Sequence, residues 1–172
     1  MTNNQPTAYF NDLWDASEFE NKILADGKDP RPQYEVNKGD ILITRAGPKN
    51  RVGISCLVKQ TRPKLMISDK IIRFHLLSND LDQEFITLCL NSGVTAEYLE
   101  DSKSGMAESQ MNISQGKLRS APIPIPPAAE QKRIVAKVEE LTSLCDTLKT
   151  KITTSQTTQL TFTDSIVSQA TN

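Results

Sequence analysis

Arg45, Lys49, Asn50 and Arg51 crowd into one short stretch, Thr44-Arg45-Ala46-Gly47-Pro48-Lys49-Asn50-Arg51. These are side chains that grip and read nucleic acid. An arginine forks onto O6 and N7 of guanine, an asparagine onto adenine, and a lysine holds phosphate. Gly47 and Pro48 fix a protruding backbone between two strands, so the stretch is expected to be a hairpin with a basic tip, with Thr44 offering its hydroxyl among the DNA contacts. A second polar loop, Ser102 to Gln110, offers Lys103, Ser104 and Gln110 for contacts of the same kind.

The charge of the chain supports that chemistry through its distribution. The formal net charge is only -1. Residues 38 to 75, however, hold nine Lys and Arg against two acids, a local balance of +7, and the stretches 1–37 and 76–127 each carry -4. A face that is basic within a neutral protein is what directed binding of a polyanion requires. Lysines placed along strand edges against aggregation would produce a similar count.

Catalytic patterns are missing. The chain has no G-x-x-x-x-G-K-[ST] phosphate loop, no G-x-G-x-x-G, no H-E-x-x-H, and no serine or cysteine with a histidine relay. His75 is the only histidine and reads as an ordinary strand residue. Asp82 with Asp101-Ser102-Lys103 imitates the acid and acid-x-Lys spacing of metal-dependent nucleases. The first acid begins an expected helix and the second follows another, so they should not meet. No metal and no cofactor are expected. Cys56, Cys89 and Cys145 are odd in number and far apart, which favours free thiols. No run approaches a membrane span, the amino terminus lacks a signal-peptide pattern, and the expected location is the cytoplasm.

The elements that must position the basic stretch are short. Asn11 to Ala25 suggests a helix, and Asp26 to Pro32 a loop. Strands are expected at Ile41 to Thr44, Val52 to Val58, Leu65 to Ser68 and Lys70 to Leu76. Helices follow, from Asp80 or Asp82 to Leu90, from Val94 to Leu99, and from Gln115 to Arg119. The fold class is α+β: a globular domain over residues 1–127 with a twisted, mostly antiparallel sheet, followed by one long helix over 128–172. Between them, Pro122-Ile123-Pro124-Ile125-Pro126-Pro127 loses every other backbone donor and can be only an edge strand or a polyproline post. Pro127 suits the first helical position and Glu130 the positive end of the dipole.

In the helix, Ile134, Val138, Leu141, Cys145, Leu148, Ile152, Phe162 and Ile166 fall on the a/d seam of a coiled coil, with polar Ser155 and Gln159 between. At 1.5 Å per residue the rod would be roughly 60 Å long. It cannot bury that seam on itself and needs a second helix. After Thr150 the Thr, Ser and Gln content would by itself favour fraying, which the continuing seam opposes.

Taken in order, Gly39-Asp40-Ile41-Leu42-Ile43-Thr44-Arg45-Ala46-Gly47, Val52-Gly53, Ser104-Gly105, Met111-Asn112-Ile113-Ser114, Ile123-Pro124-Ile125-Pro126-Pro127 and Glu130-Gln131-Lys132-Arg133-Ile134-Val135 resemble the specificity subunit of type I restriction-modification systems. The likeness runs over about residues 36 to 172. It implies a target recognition domain followed by a conserved spacer helix. Family members usually carry two such units, read a split target in the major groove of double-stranded DNA, lack catalysis, and dock modification (methyltransferase) and restriction subunits. This sequence has one unit, and its first recognition stretch looks abbreviated. The expectation is therefore a half-length, non-catalytic DNA reader that forms a homodimer through its helix. The alternative is a split-gene remnant acting as an assembly scaffold without DNA binding.

Overall fold

A computed structural model describes residues 13–15 and 31–170. The chain divides into two compact units, Met1–Gln131 and Lys132–Asn172. The first is α+β, and every strand pairing in it is antiparallel.

Its centre is β2 (Ile41–Thr44), where four consecutive residues are buried. A strand with no exposed face must be covered on both sides and paired on both edges, which is why its sequence does not alternate. β4 (Ser55–Leu57) pairs with one edge, Leu42 opposite Cys56. β6 (Ile71–Phe74) pairs with the other, Leu42 opposite Arg73. On one face Leu42 packs with Val36, Cys56, Leu65 and Ile71. Strand alternation turns Ile41 and Ile43, both 0% exposed, to the opposite face.

The open edge of β4 is closed by a side chain. Asn91, at the end of helix α1 (Gln83–Leu90), accepts from the Ser55 N–H through Oδ1 at 2.9 Å and donates through Nδ2 to the Ser55 carbonyl at 2.9 Å. Its amide thus does the work of a neighbouring strand residue. Helix α1 starts where Asp82 Oδ1 accepts from the Phe85 N–H at 2.9 Å, an N-cap. It ends at Asn91-Ser92-Gly93, and Gly93 takes the left-handed φ of +60°. Helix α2 (Gly93–Asp101) follows, and α3 (Gln115–Arg119) is capped by Ser114.

Within the stretch expected to be helical from Asn11 to Ala25, Leu13–Asp15 form strand β1, which pairs with β5 (Leu65–Ile67) with Trp14 in register with Met66. A partner strand some fifty residues away decides these three residues against their local periodicity. The rest of that stretch, the side chain of Trp14 and residues 26–30 of the expected loop lie outside the described residues. The strand expected from Val52 is shorter, because residues 51–53 form a turn with Gly53 at φ +86°. Residues 121–127 join no sheet.

Helix α4 (Ala128–Ala170) opens at Ala128, where the long helix was expected to begin. The Pro127 carbonyl accepts from the Glu130 and Gln131 N–H groups, which makes Pro127 the residue before the first turn. Gln131, in that turn, is 1% exposed. Its Oε1 accepts from the Asp82 N–H at 2.8 Å, and its Nε2 donates to the carbonyls of Asp80 at 3.1 Å and Pro126 at 2.8 Å. One side chain therefore joins the loop before α1 to the end of the proline segment.

In the second unit the helix runs unbroken through its Thr-rich half. Threonine hydroxyls from Thr142 to Thr163 donate to carbonyls one turn back, at 2.8–3.0 Å. These hydroxyls are satisfied within the helix, sharing the carbonyls that accept from its backbone N–H groups. Leu141, Leu148, Ile152, Phe162 and Ile166 are 48–68% exposed in the single chain, and Cys145 is exposed. Ile134 and Val138 are half-buried. None of the helices among the described residues is long and apolar enough to cross a membrane.

Candidate nucleic-acid interface

The hairpin tip is held as well as displayed. Thr44 is 1% exposed; its N–H donates to Ile54 O at 3.0 Å and its carbonyl accepts from Gly53 N–H at 2.8 Å. The residue expected to offer a hydroxyl instead closes the base of the tip. Beyond it, β3 (Ala46–Gly47) pairs with β7 (Met111–Asn112), Ala46 opposite Asn112. Gly47 sits at φ +143°, a conformation that favours glycine there.

That two-residue ladder brings together the two loops that sequence alone left apart. The Lys49 N–H donates to Glu108 O at 2.7 Å, and Lys49 Nζ pairs with Glu108 Oε1 at 3.2 Å. The Ile113 N–H donates to Arg45 O at 2.8 Å. A third loop joins on the other side, where the Arg45 N–H donates to Lys70 O at 2.7 Å. The hairpin that carries Arg45, Lys49, Asn50 and Arg51 is thus bonded both to the second polar loop and to the turn that carries Lys70.

Lys103 has a different part from the one expected. Its side chain is 7% exposed, its Nζ donates to Lys49 O at 2.7 Å, and it forms an ion pair with Glu100. It fastens the underside of the tip. Ser104 pairs through its backbone with Asn112, while Gln110 is exposed, its N–H closing a turn onto Ala107 O. Behind the tip lies a cleft of about 520 Å³ lined by Lys49, Asn50, Leu99, Glu100, Lys103 and Glu108.

Other members of the basic stretch are engaged in the fold. Arg73 pairs with the buried Asp40 at 3.1 Å and donates to the carbonyls of Glu35 and Gln33, which ties down the segment before β2. Lys59 pairs with Glu84 at 2.7 Å. The local surplus therefore overstates the charge available to a ligand. Arg45, Arg51 and Lys70 make no ion pair among the described residues. Lys70, not among the candidates read from the sequence, joins them through the turn Ser68-Asp69-Lys70 between two strands.

His75 does have a carboxylate nearby, Asp40 Oδ1 at 3.8 Å. The other oxygen of that group accepts from Arg73 and from the Asn37 N–H, which commits Asp40 to structure. Asp82 caps α1 and Asp101 ends α2, so the acids of the nuclease-like spacing stand at the ends of two different helices. Among the described residues no group of three or more His, Cys, Asp and Glu could hold a metal. Burial pushes the Cys56 thiol up to about 11 and raises that of Cys89, so both are protonated and unreactive at neutral pH.

A small α+β domain with basic loops gathered on one base, continued by a long helix with an exposed apolar seam, is an architecture suited to reading DNA. The family model for the type I restriction modification DNA specificity domain matches residues 2–155, and the chain belongs to that family. The match begins well before Val36, earlier than the motifs alone indicated. The chain is 62% identical over 155 residues to the type I restriction enzyme EcoEI specificity subunit of Escherichia coli, covering 90% of this chain and 26% of that protein. It is 31% identical over 152 residues to the StySPI specificity subunit of Salmonella potsdam, covering 88% of this chain and 32% of that one. The EcoAI specificity subunit of Escherichia coli matches at 26% identity over 157 residues, 91% of this chain and 24% of the relative. The chain thus spans about a quarter to a third of the length of these relatives.

Proposed function

We propose that this chain is a non-catalytic DNA-reading component of a type I restriction-modification system. In this reading Arg45, Asn50 and Arg51 contact base edges of a half-site in the major groove, and Lys49 and Lys70 hold phosphate. Thr44, Lys103 and Ser104 position the tip, and Gln110 adds a polar contact from the second loop. The observation that carries the reading is the gathering of three loops by backbone hydrogen bonds of 2.7–2.8 Å, which presents the basic side chains from one stiff base. Stiffness matters because a bidentate contact discriminates bases only if its geometry is fixed in advance. Docking to modification and restriction subunits belongs to the same proposal.

Salt separates this from the alternative, a scaffold that assembles through its helix and does not bind DNA. Duplex affinity of a reader falls with ionic strength, with a log–log slope of about -0.9 for each phosphate neutralised. A chain that binds no duplex even at low salt would be the scaffold.

We further propose that α4 forms a coiled coil with a second copy of the chain. The exposed seam at Leu141, Leu148, Ile152, Phe162 and Ile166 supports this, since a two-fold pairing gives one apolar stripe a matching partner. Sedimentation should show a dimer that becomes a monomer in the Leu141→Asp, Leu148→Asp double variant. A monomeric parent chain, or a variant that stays dimeric, contradicts the pairing.

A further inference from the structure

Met106 is the most exposed large apolar side chain among the described residues, at 107% of its reference area. It is carried by a loop that the backbone closes tightly. The Ser104 N–H donates to Asn112 O at 2.9 Å, the Asn112 N–H donates back to Ser104 O at 2.8 Å, and the Gln110 N–H closes a turn onto Ala107 O at 2.9 Å. Gly105, beside Met106, leaves no room for a side chain: a Cβ there would lie 2.3 Å from the Gln110 carbonyl oxygen and 2.8 Å from Met111 Sδ. The loop is therefore a preformed finger whose apolar tip stands fully exposed.

The finger is also tied to the basic hairpin, through Lys49 N–H to Glu108 O, the Lys49–Glu108 ion pair and the Ala46–Asn112 pairing. An unbranched thioether held out in water on this face is available for burial by a ligand. Lys49 and Glu108 pair with each other, but the hairpin to which the finger is tied also carries Arg45 and Arg51, which make no ion pair among the described residues and suit this face to a polyanion. In the major groove of duplex DNA the apolar group on a base edge is the C5-methyl of thymine, and a methionine adapts its shape to such a contact.

We propose that Met106 is a specificity-determining residue that packs on a thymine methyl within the recognised half-site. This rests on the DNA-reading proposal above. The test uses the duplex that the full chain selects from a randomised pool, together with copies in which each thymine in turn is replaced by uracil, which lacks the methyl. For the parent chain, one replacement should weaken binding about four- to tenfold, the scale of burying one apolar carbon. Met106→Ala should weaken binding to the thymine duplex by a similar factor and lose its sensitivity at that position alone, with its thermal midpoint unchanged. Unchanged affinity of Met106→Ala, or a loss that leaves every uracil effect in place, overturns the assignment of Met106 while DNA reading stands. A pool from which nothing is selected overturns DNA reading, and this proposal with it.

Discussion

Replacing Gln131 by leucine should lower the stability of the globular unit by roughly 2–5 kcal/mol. The side chain is almost fully buried and satisfies three backbone groups at once, the Asp82 N–H and the carbonyls of Asp80 and Pro126. Leucine fills a similar volume but leaves all three without a partner, at about 1–3 kcal/mol for each group that water cannot reach, partly offset by the apolar burial of the leucine itself. One of the orphans is the N–H of Asp82, the N-cap of α1, so the loss extends to the entry of that helix. Gln131→Glu should also destabilise, because it keeps the acceptor for Asp82 but turns a carboxylate toward two carbonyl oxygens. In thermal unfolding the leucine variant should melt roughly 6–15 °C below the parent chain. A midpoint within a degree or two of the parent's would mean that the three bonds contribute little.

The second large effect is on binding. Changing Arg45, Lys49 and Arg51 together to alanine should cost roughly 2–6 kcal/mol of specific affinity, at about 1–3 kcal/mol for each base-contacting arginine. Loss of the lysine should also reduce the salt slope by about 1. The fold should tolerate the change. The Lys49 bonds that fasten the tip run through its backbone N–H and carbonyl, which alanine retains. The Lys49–Glu108 ion pair is exposed on both sides and is worth at most about 1 kcal/mol. Affinity should therefore fall while the unfolding transition moves little. A folded triple variant that binds as the parent does would remove the tip from the interface.

How far these features could be read in the sequence depended on how local their causes are. Ile41–Thr44 was legible because four consecutive apolar or β-branched residues between turn residues leave few alternatives. Helix α4 was legible because its heptad spacing repeats over many turns. Strand β1 was not, since the pairing of Leu13–Asp15 with Leu65–Ile67 overrides the helical spacing around it. The meeting of the two candidate loops was also hidden. It depends on β3 and β7, two residues each, too short to leave a periodic signal. Lys103 reads as a surface lysine until Lys49 O is placed above it, and Gln131 as a solvent-facing helix residue until Asp80 and Asp82 are. In each case a polar residue type is misread when its partner lies far along the chain. The residue types of the candidate site were visible early, but not the division between Arg45, Asn50 and Arg51, which are half-buried or exposed, and Thr44 and Lys103, which serve as framework.

Whether this domain reads DNA sequence is decided most directly by selecting a randomised duplex pool with the full chain and sequencing what it retains. The account predicts enrichment of a short motif with fixed bases at several positions, bound in a salt-dependent manner and lost in the Arg45, Lys49, Arg51 triple variant. A retained pool no different in sequence from the starting one, obtained with a chain that unfolds cooperatively, would contradict it.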